Sequence, residues 1–322
     1  MCEAAMKGQI QIEVSNRDVK FKFTLNRNIT VIRGESGTGK TTLFEMIAEY
    51  TRLGNKSGVN VKCEKNVAAP IYADWQNQLG NYTESIIFID EGFDWIRSES
   101  FARFAKNTDN YYVLFTREPL HELPYSVEEI YEIKTSGKFH SLRNIYKPDK
   151  KHFIKADSRK KGRPDIFLTE DSASGFEFFR NYFKDTIKCE RSSGNASIFK
   201  YLKTNEGKNI LILADGAAFG SEIDRILKMS DKVNFRLCLP ESFEWLILKS
   251  GLIPGANLKN LLDSPSEYIE SSKYFSWEHF FADYQIDVTK DTEYKYQKSK
   301  LNKFYLSERN SKRIVAEIFD ND

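Results

Sequence analysis

The sequence is poor in cysteine, in long apolar runs and in net charge of either sign. The four cysteines (Cys2, Cys63, Cys189 and Cys238) are isolated, so neither a CxxC zinc knuckle nor a disulfide framework is predicted, and a reducing cytoplasm is expected. No stretch reaches the about 18 consecutive apolar residues of a membrane helix, and the N-terminus lacks the apolar segment of a signal peptide. A formal net charge of +2 gives no overall attraction to nucleic acid or membrane, so any such interaction depends on local clusters.

The length of 322 residues and the ordering of apolar patterns predict two α/β domains. In the first half, period-two alternation predicts a hairpin over 9–14 and 19–25, and further strands alternate with helices. A mainly parallel, three-layer sheet is expected there. A second run of alternating strands and helices starts at Asp165. The predicted division is a nucleotide-binding domain at 1–146, a basic linker at 147–164, a second α/β domain at 165–275 and a helical extension at 276–322.

A glycine-rich segment lies between a predicted strand, 29–33, and a predicted helix, 42–50. It matches G-x-x-x-x-G-K-[ST] at every fixed position, which is the P-loop pattern. Glycines let backbone N–H groups turn towards phosphates. Lys40 is expected to bridge the β- and γ-phosphates, and the Thr41 hydroxyl is expected to ligate Mg²⁺. The predicted ATP-binding residues are Gly34, Glu35, Ser36, Gly37, Thr38, Gly39, Lys40, Thr41 and Thr42.

Two acidic residues follow the apolar strand that the sequence predicts over 86–89. This pattern resembles the Walker B element of P-loop proteins, which implies that Asp90 holds Mg²⁺ and that Glu91 polarises the attacking water. The next predicted strand, 111–115, ends at Thr116 and Arg117. Related ATPases keep a polar residue there that senses the γ-phosphate, and an ordinary surface threonine is the alternative.

The opening hairpin together with Ile29-Thr-Val-Ile-Arg-Gly-Glu-Ser-Gly-Thr-Gly-Lys-Thr-Thr-Leu43 resembles the start of an ABC-type ATPase domain. The resemblance covers little more than the first 50 residues and the strand before Asp90. The interval from Lys40 to Phe88 is too short for the helical subdomain of that family, and its Leu-Ser-Gly-Gly signature is missing. Slow hydrolysis or nucleotide sensing is therefore expected in place of a signature-dependent dimer.

Acidic residues also end two predicted strands of the second half, at Glu170-Asp171 and at Asp215. Carboxylates at the ends of parallel strands can converge on one divalent metal ion. The order of strands and acids resembles a Toprim domain, which implies acid/base work for Glu170 and Mg²⁺ binding by Glu170 and Asp215. Ala217 stands where that family has a second Asp, and Asp171 replaces the usual Gly. The acids considered as replacements for the lost ligand are Asp224, Glu241 and Glu244.

Two clusters of basic residues are candidates for phosphate contact. The segment 143–163 has nine Lys or Arg and two acids, and is interpreted either as a nucleic-acid contact or as a charged linker. After Tyr294, seven basic residues alternate with aromatic ones, which suits either base stacking or a solvated helix with a buried aromatic side. The four histidines (His121, His140, His152 and His279) show no ligand spacing and are interpreted as structural or surface residues.

Two functions are consistent with these patterns. The first is an ATPase that controls a Toprim-like module acting on DNA or RNA, in the domain order of OLD-family ATP-dependent nucleases. The second is a nucleotide-binding regulatory or scaffold protein whose second domain is inactive and binds a protein partner or another copy of the chain. Glu170, Asp215 and the basic clusters favour the first function, and Ala217 favours the second.

Overall fold

The chain forms two compact units, each built from two separate pieces of sequence. Unit 1 comprises Met1–Ile145 and Ser264–Phe275, and unit 2 comprises Tyr146–Asp263 and Ser276–Asp322. The computed structural model describes residues 9–35, 37–70, 74–154, 162–170, 173–255, 258–269 and 273–319. Cys2, Ser36, Asp171 and part of the basic linker lie outside these ranges.

Unit 1 contains a mixed nine-stranded sheet in the order β4-β1-β2-β9-β8-β3-β7-β6-β5. Its strands are β1 (Ile10–Ser15), β2 (Lys20–Leu25), β3 (Ile29–Arg33), β4 (Asn60–Lys62), β5 (Val67–Ala68), β6 (Ile86–Ile89), β7 (Tyr111–Phe115), β8 (Ile130–Ser136) and β9 (Phe139–Asn144). β5, β6, β7, β3 and β8 run parallel to one another. The segments that follow β3, β6 and β7 therefore leave the sheet at one edge.

The predicted hairpin is confirmed, because β1 pairs antiparallel with β2 from Ile10↔Leu25 to Ser15↔Lys20. Alternate residues of both strands are buried, as the period-two pattern requires. β3, β6 and β7 are buried along their whole length, and β6 and β7 accordingly read as continuous apolar runs, whereas β3 also carries Thr30 and Arg33. β9 pairs antiparallel with β8 and was not predicted as a strand.

The described α-helices are divided between the two units. In chain order they are α1 (Lys40–Leu53), α2 (Trp75–Leu79), α3 (Glu99–Lys106), α4 (Ser174–Phe183), α5 (Asn195–Thr204), α6 (Ile223–Leu227), α7 (Phe243–Lys249), α8 (Leu258–Asp263), α9 (Pro265–Tyr268), α10 (Trp277–Thr289), α11 (Lys303–Leu306) and α12 (Glu308–Ala316). None of the helices in the described ranges is long and apolar enough to cross a membrane.

Helix α1 joins the P-loop to the core of unit 1. Its residues Leu43, Met46 and Ile47 are buried at helical spacing and share one apolar cluster with Phe88 and Phe115 of the sheet. Fully burying each such side chain contributes about 1.5–3 kcal/mol. Lys40 is both the first residue of α1 and the lysine of the P-loop. Packing of α1 against the sheet therefore also fixes the position of Lys40.

Unit 2 contains a five-stranded sheet in the order β10-β14-β13-β11-β12. Its strands are β10 (Phe153–Ile154), β11 (Ile166–Thr169), β12 (Lys188–Arg191), β13 (Asn209–Leu213) and β14 (Asn234–Cys238). The last four are parallel, and β10 is antiparallel to β14. The alternation of strands and helices predicted for the second half is present.

The observed units differ from the predicted domains over 264–275. The sequence interpretation placed this segment in the second domain, but it belongs to unit 1. There the Gln9 side-chain amide donates to the Ser266 hydroxyl at 2.9 Å, and the Lys106 ammonium lies 6.0 Å from the ring centre of Phe275. The 276–322 extension is part of unit 2 and contains α10, α11 and α12.

Candidate functional site

The P-loop backbone of unit 1 uses conformations that favour glycine. Gly34, Gly37 and Gly39 have φ angles of 134°, 81° and 96°. A side chain at any of these positions would strain the backbone, since L-residues rarely adopt positive φ. A Cβ at Gly39 would also lie 3.7 Å from Phe21 and from Nδ1 of His140. The described P-loop residues therefore turn sharply from β3 into α1.

Lys40 is the first residue of α1, and its long side chain folds back over the loop. The residue is only 6% exposed, and its ammonium donates to the carbonyl oxygens of Gly34 and of Glu35, the latter at 2.9 Å. Burial lowers the pKa of Lys40, and the nearby carboxylates of Glu91 and Asp90 oppose that shift. A buried cation thus lies within the electrostatic reach of both acids.

A pocket of about 330 Å³ opens beside this loop. The residues that line it are Val19, Phe21, Glu35, Gly37, Thr38, Gly39, Lys40, Thr41, Thr42, Asp90, Glu91, Arg117, Thr135 and His140. Asp90 and Glu91 reach it because they directly follow β6, which ends at the same sheet edge as β3. The structure therefore brings together the described P-loop residues, apart from Gly34, and both acids predicted after β6.

The two residues after β7 have different surroundings. Thr116 is fully buried, and its hydroxyl donates to the Glu118 carbonyl at 2.8 Å, so it stabilises the local turn. Thr116 is not among the lining residues of the pocket, whereas Arg117 is. The Arg117 guanidinium lies 3.1 Å from the Glu91 carboxylate. Arg117, to which the sequence interpretation assigned no role, is the residue of this pair that faces the site.

Sequence reasoning also missed the aromatic wall of the pocket. The rings of Phe21 and His140 stack with centroids 4.4 Å apart, and Nδ1 of His140 lies 3.0 Å from the Thr135 hydroxyl. β2 and β9 bring the two rings together because Phe21 pairs with His140 in their parallel register. No local signal in the sequence indicates this contact, since it depends on the unpredicted strand β9.

In unit 2, Glu170 and Asp215 lie at the same sheet edge. Glu170 follows β11 directly, Asp215 lies two residues after β13, and the two strands are parallel neighbours with Thr169 opposite Leu213. The Glu170 N–H donates to the Leu213 carbonyl at 3.0 Å. This is the placement that the sequence interpretation required for one shared cleft.

Both acids line a cleft of about 560 Å³. The complete lining is Glu170, Arg191, Ser192, Ser193, Gly194, Asp215, Phe243, Glu244, Glu278 and Lys298. Of the three acids considered as replacements for the missing aspartate, Glu244 lines the cleft, whereas Asp224 and Glu241 do not. Ala217, which stands where the Toprim family has its second Asp, is 6% exposed and is not a lining residue of the cleft.

Glu244 is held in place by its neighbours. It lies in the first turn of α7, which Ser242 caps by accepting from Trp245 N–H at 3.2 Å. The residue is 2% exposed, and the Tyr296 hydroxyl donates to its carboxylate at 2.7 Å. Burial raises the pKa of Glu244, although Lys298 and Tyr296 act in the opposite direction.

Lys298 lies among the carboxylates of this cleft, with 44% of its side chain exposed. Its ammonium pairs with Glu278 and also interacts electrostatically with Glu244 and Asp215, and these acids raise the pKa of Lys298 against the effect of burial. Within the described ranges there is no group of three or more His, Cys, Asp or Glu side chains arranged to hold a metal ion. The Lys298 ammonium, which already interacts with Asp215, opposes the binding of Mg²⁺ to Glu170 and Asp215.

The described basic residues that the sequence marked for phosphate contact are partly engaged within their own units. Nε of Arg143 donates to Glu132 at 2.6 Å, Lys151 donates to the Ala316 carbonyl, and Arg163 to the Thr186 carbonyl. In the C-terminal cluster, Tyr296 and Tyr305 are fully buried, as the interpretation of an aromatic side in the core requires. The cluster is helical only from Lys303, in α11 and α12, and Tyr296 lies in the non-helical segment before α11. The basic members of that cluster are Lys295, Lys298, Lys300, Lys303, Arg309, Lys312 and Arg313.

Comparison of the chain with protein-family models, with curated proteins and with solved structures finds no match. The functional argument therefore depends on the two sites themselves.

Proposed function

We propose that unit 1 binds ATP with Mg²⁺ and hydrolyses it. The observation that carries the proposal is the convergence of the P-loop, the buried Lys40 and the acids Asp90 and Glu91 on one pocket. A loop of backbone N–H groups ahead of a helix, with a lysine beside it, is suited to phosphate oxygens because both the helix dipole and the ammonium attract negative charge.

Each residue has a distinct role in this proposal. Lys40 exchanges its hydrogen bonds to the loop carbonyls for bonds to phosphate oxygens. The Thr41 hydroxyl and the Asp90 carboxylate are oxygen donors of the kind that Mg²⁺ prefers, and they would hold the ion, which would supply positive charge beside the transferred phosphoryl group. Glu91 orients and polarises the attacking water.

The test is the loss of the Lys40 charge. Lys40→Ala should abolish measurable binding of ATP·Mg²⁺ in calorimetry, because the only lysine ammonium lining the described pocket is removed. Lys56→Ala is the matched control, since Lys56 is exposed and lies beyond the end of α1 in the same unit. Unchanged affinity in the Lys40 variant would remove the P-loop assignment.

For unit 2 we propose a Toprim-like module that acts on DNA or RNA under the control of the ATPase, in the domain order of OLD-family ATP-dependent nucleases. Glu170 and Asp215 on neighbouring parallel strands support this proposal, and so does Glu244 in the same cleft. The roles proposed are acid/base work for Glu170 and cation binding for Glu170 and Asp215.

Two observations favour the alternative, a regulatory or scaffold protein with an inactive second domain. Lys298 lies where it neutralises several of the cleft carboxylates, and Ala217 supplies no ligand. Nicking of DNA or RNA by the full chain in Mn²⁺ or Mg²⁺, lost on Glu170→Gln, would support the nuclease. Absence of nicking in the parent protein, with ATP hydrolysis intact, would favour the regulator.

A further inference from the structure

We propose that the N-terminal end of α5, in unit 2, binds a phosphoryl group. Arg191, the last residue of β12, and the loop of Ser192, Ser193 and Gly194 that joins β12 to α5 line the same cleft as Glu170 and Asp215. The crevice at the carboxyl ends of parallel strands is where open α/β sheets take ligands. That the phosphoryl group belongs to a nucleic-acid strand rests on the function proposed for unit 2.

The backbone at this helix start is suited to an anion. α5 is 10 residues long, and among the described residues no side chain is seen to cap it, since its N-cap residue is Gly194. The first N–H groups of a helix have no partner within the helix, and they carry its positive dipole end. Gly194 has φ 89°, and the space in front of it is open, because a Cβ built there meets no atom within 4 Å. An approaching phosphate oxygen therefore has access to the loop.

Ser192 supplies an independent indication of a ligand. The residue is only 4% exposed, and its buried hydroxyl has no hydrogen-bond partner among the described residues. Its backbone N–H donates to the Thr169 carbonyl at 2.9 Å, which fixes the loop against the end of β11 beside Glu170. A buried hydroxyl without a partner is costly, and because Ser192 lines the cleft, an oxygen bound there would supply the missing acceptor.

The charges of the cleft decide how an anion is held. Arg191 offers a planar cation that binds phosphate in a bidentate manner, and Lys298 adds a second cation. Lys298 already pairs with Glu278. Glu170, Asp215 and Glu244 are further carboxylates that line the cleft and oppose an anion, so divalent cations in the buffer should strengthen phosphate binding.

The experiment measures oligonucleotide binding by the full chain in Mg²⁺, using fluorescence anisotropy of a 3′-labelled single strand with either a 5′-phosphate or a 5′-hydroxyl. Arg191→Gln should weaken binding about tenfold or more, because a charge-assisted bidentate contact is lost. Ser192→Ala should weaken it by about two- to fivefold. Inorganic phosphate should compete with the strand in the parent protein. Lys188→Gln is the matched control, since Lys188 is exposed on the same strand, β12, and is not among the cleft residues.

The two probes identify the carrier of the phosphoryl group. A loss confined to the 5′-phosphorylated strand assigns a terminal phosphate, and an equal loss with both strands assigns an internal phosphodiester. Equal affinities of Arg191→Gln and Lys188→Gln would overturn the inference, as would absence of binding by the parent chain. ATP binding that depends on Lys40 is measured separately, so failure here leaves the proposal for unit 1 intact.

Discussion

At the residue scale, the ion pair between Glu91 and Arg117 is the feature of the nucleotide pocket that most affects the proposed chemistry. The pair spans 3.1 Å, and the side chain of Glu91 is 31% exposed while that of Arg117 is 56% exposed. An exposed pair of this kind adds little to stability. It does, however, hold the Glu91 carboxylate at the pocket that Lys40 also lines.

Glu91→Gln should leave ATP binding nearly unchanged and slow hydrolysis by about 10²- to 10⁴-fold, because the amide keeps the size of the side chain but does not act as a base. Binding is measured by calorimetry and turnover by phosphate release. Glu118→Gln is the control, since Glu118 is exposed, pairs with Arg97 and does not line the pocket. Equal turnover in the parent and the Glu91 variant would exclude Glu91 from the mechanism.

At the scale of elements, the turn after β13 positions Asp215 through a close backbone contact. The Gly216 N–H donates to the Pro240 carbonyl at 2.6 Å, so the segment after β13 lies directly against the segment after β14. A Cβ on Gly216 would lie 2.6 Å from the Leu239 carbonyl oxygen and 3.0 Å from that of Pro240. Neither backbone oxygen can move without shifting its strand end.

Gly216→Ala should therefore destabilise unit 2 by about 1–3 kcal/mol, the usual cost of overpacking. Urea unfolding gives the free energy. Gly162→Ala in the same unit is the control and should change it by less than about 0.5 kcal/mol, because a Cβ there meets its nearest atom only at 4.0 Å. If the two variants were equally stable, the backbone contact at Gly216 would not constrain the turn.

The elements that the sequence predicted well are those with a strong local pattern. β6 and β7 are apolar throughout, β3 is mostly apolar, and α1 carries buried residues at helical spacing after a glycine loop, so the bounds of these elements differ little from the prediction. β9 has a mostly exposed pattern without apolar alternation, and pairing with β8 and β2 creates it. Strand pairing that depends on residues far apart in the chain cannot be recognised in a short window of sequence.

The same distinction applies to the sites. Lys40, Asp90 and Glu91 could be predicted because each lies next to a strand or a helix with a clear pattern. Phe21 and His140 enter the nucleotide pocket through the register of β2 with β9, which is long-range information. Glu244 was one of three candidates, and only the position of α7 distinguishes it from Asp224 and Glu241.

At the scale of the whole molecule, each unit contains a titratable group whose pKa is shifted by burial. The two pKa shifts have opposite signs, so the stabilities of the two units depend on pH in opposite ways. In unit 1, burial raises the pKa of Glu129 from 4.5 to about 8, although Arg27 opposes the shift. In unit 2, burial and the neighbouring Lys249 lower the pKa of His152 from 6.5 to about 4, against the carboxylates of Glu241 and Asp149.

These pKa changes affect stability through proton linkage. Between about pH 4.5 and 8 the folded form of unit 1 holds a proton on Glu129 that the unfolded chain has released, so this unit loses stability as the pH rises. Between about pH 4 and 6.5 the unfolded chain protonates His152 and the folded chain does not, so unit 2 loses stability as the pH falls. A tenfold difference in proton affinity between the folded and unfolded chains corresponds to about 1.4 kcal/mol.

The last prediction compares Glu129→Gln and His152→Asn with the parent protein at pH 5 and pH 8. Glutamine removes the titration of Glu129, and asparagine removes that of His152 while tolerating its φ of 63°. Relative to the parent, Glu129→Gln should gain stability as the pH rises, and His152→Asn should gain stability as the pH falls. Urea unfolding followed by tryptophan fluorescence reports both units, since Trp75 and Trp95 belong to unit 1, whereas Trp245, whose ring centre lies 4.7 Å from that of His152, belongs to unit 2. The free energy of unfolding of each variant is compared with that of the parent at both pH values. If this difference is the same at pH 5 and pH 8, neither group titrates between them as predicted.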